Sequence, residues 1–205
     1  MKIAIIDYGY ANIRSVINAF NCFECDISIL ESPKALADSD KIVMPGVGSF
    51  DAGMRGLRER NFIDTMSERV FEFDVPFLGI CVGMQMMSEG SEEGDLPGLG
   101  WFQGTFRHFP STDSSLKVPH IGWSEVTAQP DSQLFSGIDL VSDFYFAHSY
   151  YLPIDEKKDE ICAGKCTYGV PFTAAVEQDH VFGVQFHPEK SQLAGMKIIE
   201  NFLSI

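Results

Sequence analysis

A chain of 205 residues, 45% hydrophobic and 21% charged, has the balance of a folded globular protein and enough length for one sizeable core. Its formal net charge of −14, from 29 acidic against 15 basic residues, argues against a nucleic-acid binder and against docking on an anionic membrane surface. Any anionic ligand has to be held locally or by a partner chain.

Met1 runs straight into "KIAIID", which reads as a core strand and leaves no room for a signal peptide. No apolar run approaches the ~20 residues of a membrane span. The five cysteines, Cys22, Cys25, Cys81, Cys162 and Cys166, are an odd number, as expected of reduced thiols in the cytoplasm. In chain order, "IAIID" (3–7) predicts a strand, residues 12–22 a helix and "ISIL" (27–30) a second strand. Ser32-Pro33 can cap a short helix, and "KIVMPG" (41–46) reads as a third strand stopped by Pro-Gly. Residues 51–72 keep helical periodicity, "PFLGIC" (76–81) is a fourth strand, and "VGMQMMSEG" resumes helical spacing. Continuous apolar strands alternating with helices predict a parallel sheet covered on both faces.

The second half differs. "GLGWFQGTFRHF", "DFYFAHSYYL", "EICAGKCTYG", "PFTAAVEQ" and "VFGVQFH" are short, aromatic or β-branched, and separated by turn residues, which predicts antiparallel or mixed strands. A helix over 191–203 closes the chain, and "PSTDSSLK" (110–117) reads as an exposed loop. The expected architecture is a single three-layer α/β domain over 1–205, with a mostly parallel central sheet and additional antiparallel strands in the second half.

The stretch "FLGICVGMQ" (77–85) places Cys81 between Gly79 and Gly83 at the end of a strand. A strand that turns sharply into a helix at a nucleophile needs small residues two positions either side. Such a turn lifts the side chain above the carboxyl ends of the strands and sets the sulfur at a helix N-terminus, with the Val82 N–H facing a developing oxyanion. A five-residue pattern is equally consistent with a packed structural thiol. A thiol nucleophile also needs an oriented base. His187, in "GVQFHPEKS" at the end of an apolar strand, can project to the same edge, and Glu189, just past Pro188, can turn back to hold one ring nitrogen. Taken alone, His187 reads more readily as a solvent-exposed turn residue. "YGYAN" after the first strand lacks the G-x-G-x-x-G spacing of a nucleotide loop. Cys22-x-x-Cys25 with Cys162-x₃-Cys166 has the wrong second spacing for zinc, so no metal is expected.

Together, "GICVGMQ" and "GVQFHPEKS" resemble the class I (triad) glutamine amidotransferases. The resemblance implies a Cys-His-Glu triad on an α/β fold that hydrolyses L-glutamine to glutamate and ammonia, with Cys81 as nucleophile, His187 as acid/base and Glu189 as its orienting partner. No cofactor is implied. Further segments, "PGVGSF" (45–50), "DYGYANIRS", "VPHIGWSEV" (118–126) and "YFAHSYY" (145–151), are similar to the glutaminase subunits of imidazole glycerol phosphate synthases, over nearly the whole chain. That likeness implies an oxyanion site at Val47, Gly48 and Val82, in which the donor near Val47 reorients on activation. It also implies glutamine contacts from Gly46, Gln85, Glu93, Ser149 and Tyr150. Asn12, Tyr145 and Lys190 match positions facing a cyclase subunit built as a (βα)₈ barrel, which receives the ammonia in a heterodimer. Two positions depart from the usual pattern: Ala11 stands before Asn12 where Gly is usual, and Ser124 follows "PHIGW" where Asn is usual. Both bear on the partner, so relatives that feed ammonia to sugar-modifying enzymes of surface-polysaccharide synthesis are an alternative, as is a stand-alone cysteine hydrolase.

Overall fold

The computed structural model describes residues 1–9, 12–110, 116–154 and 159–205, so Ala11 and most of the expected loop at 110–117 lie outside the described residues. Strand β1 (Lys2–Ile6) is followed by helix α1 (Ile13–Phe20), β2 (Asp26–Leu30), a 3-10 turn (Pro33–Asp38), β3 (Lys41–Gly46), helices α2 (Phe50–Glu59) and α3 (Phe62–Phe71), β4 (Phe77–Cys81) and the short α4 (Val82–Met87). The second half adds β5 (Gly90–Ser91), β6 (Thr105–His108), β7 (His120–Ala128), β8 (Val141–His148) and β9 (Tyr150–Pro153). It ends with β10 (Cys162–Tyr168), β11 (Val170–Gln178), β12 (Val181–Val184) and α5 (Gln192–Ser204).

The main sheet has the order β2-β1-β3-β4-β12-β11-β10-β7-β8. From β2 to β12 the neighbours are parallel, and from β12 to β8 they are antiparallel. β9 joins from the side by pairing with β11, and β6 pairs with β9. Strands β3, β4 and β12 are buried at every position, which requires cover on both faces. Two helix groups supply it: α1 packs with α5, while α2 packs with α3 and α4. No helix among the described residues is long and apolar enough to cross a membrane.

Several expected elements are corrected. The helical pattern at 51–72 is two helices, broken where Asn61 takes a left-handed φ of 58°, a conformation asparagine tolerates better than most residues. The short helix after Ser32 is a 3-10 turn, and the Ser32 side chain does not cap it. β3 ends at Gly46 as expected, with its pairing to β4 continuing to the Gly46–Cys81 register. Of "GLGWFQGTFRHF" only Thr105–His108 is a strand. Its first part is strapped to the end of α4 by Leu99 N–H donating to Met86 O and Trp101 N–H to Met87 O, both 2.8 Å. β7, not expected as a strand, escapes notice because its alternation is inverted: His120, Val126 and Ala128 face inward while Ile121 and Trp123 are exposed.

The parallel half closes tightly around the β4–α4 turn. A Cβ added to Gly83 would overlap the Met44 carbonyl oxygen of β3, and one on Gly79 would collide with Met87 Sδ. Backbone cannot yield as a side-chain tip can, so Gly83→Ala should lower stability by more than about 2 kcal/mol in urea unfolding. Gly90→Ala, where nothing lies within 4 Å, should change it by less than about 0.5 kcal/mol.

Candidate active site

The register of the parallel strands places three loops side by side. Gly46 pairs with Cys81, and Ile80 with Val184, so the carboxyl ends of β3, β4 and β12 are adjacent. The segments that follow, Val47–Gly48, Val82 and residues 185–187, therefore leave the sheet at the edge where open α/β sheets bind ligands. β8 is last in the strand order, but the antiparallel half bends back to the same place. His187 N–H donates to Tyr145 O at 2.8 Å, and Cys81 Sγ lies 3.9 Å from Ala147 O.

Cys81 has φ 56° and ψ −113°, outside the regions a side-chain-bearing residue normally occupies. Such strain persists only when the surroundings enforce it, and here the close packing of Gly79 and Gly83 does so. A Cβ on Gly46 would also lie 2.5 Å from Gly83 N and 2.8 Å from the Tyr8 hydroxyl. Tyr8, buried, donates from its hydroxyl to Pro45 O at 2.9 Å and so holds the end of β3 against the turn.

His187 lies three residues beyond the end of β12, at the start of a 3-10 turn (Pro188–Lys190), and not at the strand's last position as expected. The turn is fixed by Ser191, whose hydroxyl donates to His187 O at 2.7 Å and accepts from Tyr145 N–H at 2.9 Å. His187 Nδ1 meets Glu189 Oε1 at 2.9 Å, and both side chains are almost wholly buried. Burial alone would push the His187 pKa down. The Cys81 charge and hydrogen bond, and then the Glu189 hydrogen bond and charge, outweigh it and push the value up to about 10. With Cys81 as thiolate the ring therefore holds a proton at neutral pH, and Glu189 fixes which nitrogen faces the sulfur. A thiol thus lies beside an imidazole that a carboxylate holds, a set able to supply a nucleophile, an acid/base and its orienting group.

A pocket of about 330 Å³ opens over these groups, lined by Val47, Gly48, Cys81, Val82, Gln85, Glu93, Ser149, Tyr150, His187 and Lys190. Gly46 and Glu189 do not line it: Gly46 is buried and pairs with Cys81, and Glu189 is bonded to His187. Burial, with Asp51 adding and the Phe50 N–H bond opposing, raises the Glu93 pKa; that bond is 2.8 Å to Oε2. Burial, Glu93 and Glu92 raise the Tyr150 phenol. Asn12 and Tyr145 do not line the pocket. Asn12 is exposed at the start of α1, 3.3 Å from Ser15 Oγ. Tyr145 stands beside the mouth, with Lys190 Nζ 5.6 Å from its ring centroid and the exposed Trp123 edge-on at 6.0 Å. Among the described residues no group of three or more His, Cys, Asp or Glu is arranged to hold a metal.

Sequence reasoning missed two features. Gln185, wholly buried, accepts at Oε1 from Gln85 Nε2 at 3.0 Å and directs its own Nε2 at Cys81 Sγ, 3.6 Å away. The one available signal was a polar residue inside the apolar run "VFGVQF". The second feature is a buried histidine chain. His148 Nδ1 lies 2.7 Å from Tyr150 O, His148 Nε2 lies 3.0 Å from His120 Nδ1, and His120 Nε2 lies 2.9 Å from Ser124 Oγ. A carbonyl only accepts, so His148 Nδ1 carries the hydrogen. With both rings neutral, His120 donates to His148 and Ser124 donates to His120. Burial keeps them neutral, pushing the pKa of His148 down to about 3 and that of His120 to about 4. His120 is stacked between Tyr168 and Phe146 at centroid distances of 3.9 and 4.8 Å.

A family profile, Glutamine amidotransferase class-I, matches residues 4–205. The chain belongs to the class-I glutamine amidotransferases. Within this family it is 44% identical over 204 residues to "Imidazole glycerol phosphate synthase subunit HisH 1" of Campylobacter jejuni strain RM1221, covering 99% of this chain and 100% of that protein. It is 43% identical over 203 residues to "Imidazole glycerol phosphate synthase subunit HisH 2" of Pseudomonas aeruginosa PAO1, covering 99% of each. It is likewise 40% identical over 205 residues to the HisH subunit of Leptospira borgpetersenii, covering 99% of this chain and 100% of that one. Among solved structures, PurLQS from Thermotoga maritima shares the fold of this amidotransferase with a TM-score of 0.76 at 20% identity, over 99% of this chain and 97% of that one. A glutamine amidotransferase from the same organism does so with a TM-score of 0.67 at 16% identity, over 100% and 83%.

The histidine chain predicts an acid sensitivity. Below about pH 6.5 the unfolded state takes up protons at positions 120 and 148 that the folded state refuses until about pH 4 and 3. Stability is therefore present in full above pH 6.5 and falls with pH beneath it. His148→Asn keeps a donor for Tyr150 O and removes one of these groups. Its thermal midpoint should fall less steeply between pH 6.5 and 4 than that of the unmodified amidotransferase.

Proposed function

We propose that this chain is the glutaminase subunit of a two-chain synthase of the imidazole glycerol phosphate type, hydrolysing L-glutamine in the pocket above Cys81. The observation that carries the reading is the meeting of Cys81, His187 and Glu189 at that pocket, with the Nδ1–Oε1 bond of 2.9 Å orienting the base. The Cys81 thiolate attacks the side-chain amide carbon and forms a tetrahedral oxyanion facing the Val82 N–H and donors from Val47 and Gly48. His187 gives its proton to the departing nitrogen, ammonia leaves, and a γ-glutamyl thioester remains. Water then attacks the thioester carbonyl while His187 takes its proton, and glutamate is released with the thiolate restored. Gly46, Gln85, Glu93, Ser149 and Tyr150 hold the glutamine.

Ammonia passes to the (βα)₈ barrel of a cyclase partner seated beside Asn12, Tyr145 and Lys190. In support, Tyr145 and Lys190 stack beside the pocket mouth, where a partner could feel the state of the site. A second reading, delivery to a sugar-modifying enzyme, rests on Ser124, which stands where Asn is usual and ends the histidine chain.

Glutamate release should be slow for the chain alone and rise at least ~10²-fold with the cyclase barrel of the same genome and its nucleotide ligand, since one oxyanion donor is worth that much. A rate that ignores the barrel and responds to a sugar-modifying partner would select the second reading. Cys81→Ala should abolish glutamine turnover while the folded chain still binds its partner; turnover by that variant would overturn the mechanism. Glu189→Gln should slow turnover less, because the base stays in place but loses its charged partner.

A further inference from the structure

We infer that Gln185 is a further catalytic residue, holding the Cys81 sulfur as thiolate through its amide N–H while locking the Gln85 side chain in place. This rests on the reading of Cys81 as the nucleophile. Cys81 is 3% exposed and meets the pocket with only a small part of its surface, so water solvates a thiolate there poorly and a largely buried anion needs donors supplied by the protein. His187 is one donor. Gln185 Nε2, 3.6 Å from Sγ, is a second that carries no charge and stays in place when His187 gives up its proton.

The orientation of the amide follows from its neighbours. Gln85 presents an NH₂ group at 3.0 Å, which can only donate, so the Gln185 atom facing it is the carbonyl oxygen. The amide nitrogen must then face the sulfur. Gln185 cannot turn away, because its side chain is wholly buried and its backbone N–H is bound to Ala174 O at 2.8 Å beside β11. One side chain thus joins the nucleophile to a residue of the pocket wall. A polar side chain in the middle of an apolar run, where an apolar one would pack as well, is retained for such bonds.

The test is the pH dependence of Cys81 alkylation by iodoacetamide on the full chain, read at the Cys81 peptide by mass spectrometry so that the other cysteines do not contribute. The titratable groups around the sulfur are His187 with Glu189 behind it, Tyr8 from the loop after β1, His148 of β8, and Glu93 and Lys190 across the pocket; all stay unchanged. Gln185→Met keeps the volume and removes the donor, and the alkylation midpoint should rise by about one pH unit. Gln185→Glu keeps the shape but sets a carboxylate against the thiolate, and should raise it further. Gln85→Met removes the bond that aims the Gln185 amide and should also raise the midpoint, by no more than Gln185→Met does, and raise KM for glutamine. A folded Gln185→Met protein with an unmoved or lowered midpoint would overturn the inference; if that variant does not fold, Gln185→Glu decides by the same readout. Alkylation needs neither glutamine nor partner. A wild-type chain that never turns over glutamine with its partner would sink the functional reading, while the midpoints still decide the role of Gln185.

Discussion

The site depends on how closely the turn at Cys81 approaches the end of β3. Gly83 lies so near the Met44 carbonyl that no side chain fits, and Gly46 lies against the Gly83 nitrogen on the other side. Two strand ends and the first turn of α4 are thereby locked together as backbone against backbone. Cys81 is left in a conformation that an isolated peptide would abandon. The energy that holds it there comes from the fully buried strands on either side, whose apolar surface is covered on both faces. A strained side chain held on a rigid sheet loses no order when a ligand arrives, which is what preorganisation requires.

Electrostatics then follows from burial. His187 and Glu189 sit where water is scarce, so each interaction there is stronger than it would be at the surface. Glu189 commits one oxygen to the ring. Its other oxygen, Oε2, is buried and has no hydrogen-bond partner among the described residues. An unpaired buried acceptor is expensive, and it leaves the His187 bond as the hydrogen bond this carboxylate makes among the described residues. Glu93 and Gln85 line the same pocket as Cys81 and His187, so charged and polar groups converge around one sulfur.

Much of this was legible in the residues. The alternation of apolar strands with helices declared the parallel half, while the roles of Cys81, His187 and Glu189 came from the family resemblance of two motifs about a hundred residues apart, each ambiguous on its own. The antiparallel half was less legible. β7 buries a histidine and exposes a tryptophan, so its pattern inverts the rule by which strands are recognised. Asn61 breaks a helix that periodicity alone continues, since periodicity carries no information about a left-handed residue. Gln185 was hidden for a related reason: its partners, Gln85 and Cys81, are a hundred residues away in sequence and become neighbours only when β12 pairs with β4.

The histidine chain has a property that bears on how the pocket can be influenced from outside. It starts at Ser124, next to the exposed Trp123 on β7, and ends at the Tyr150 carbonyl in the pocket wall. A carbonyl cannot accept a proton for keeps, and both rings are neutral, so the chain is a dead end as a proton wire and carries no charge. What remains is mechanical. Three bonds of 2.7, 3.0 and 2.9 Å tie the Tyr150 carbonyl through His148 and His120 to Ser124 on β7, and with both rings neutral that link is unaltered by pH across the physiological range.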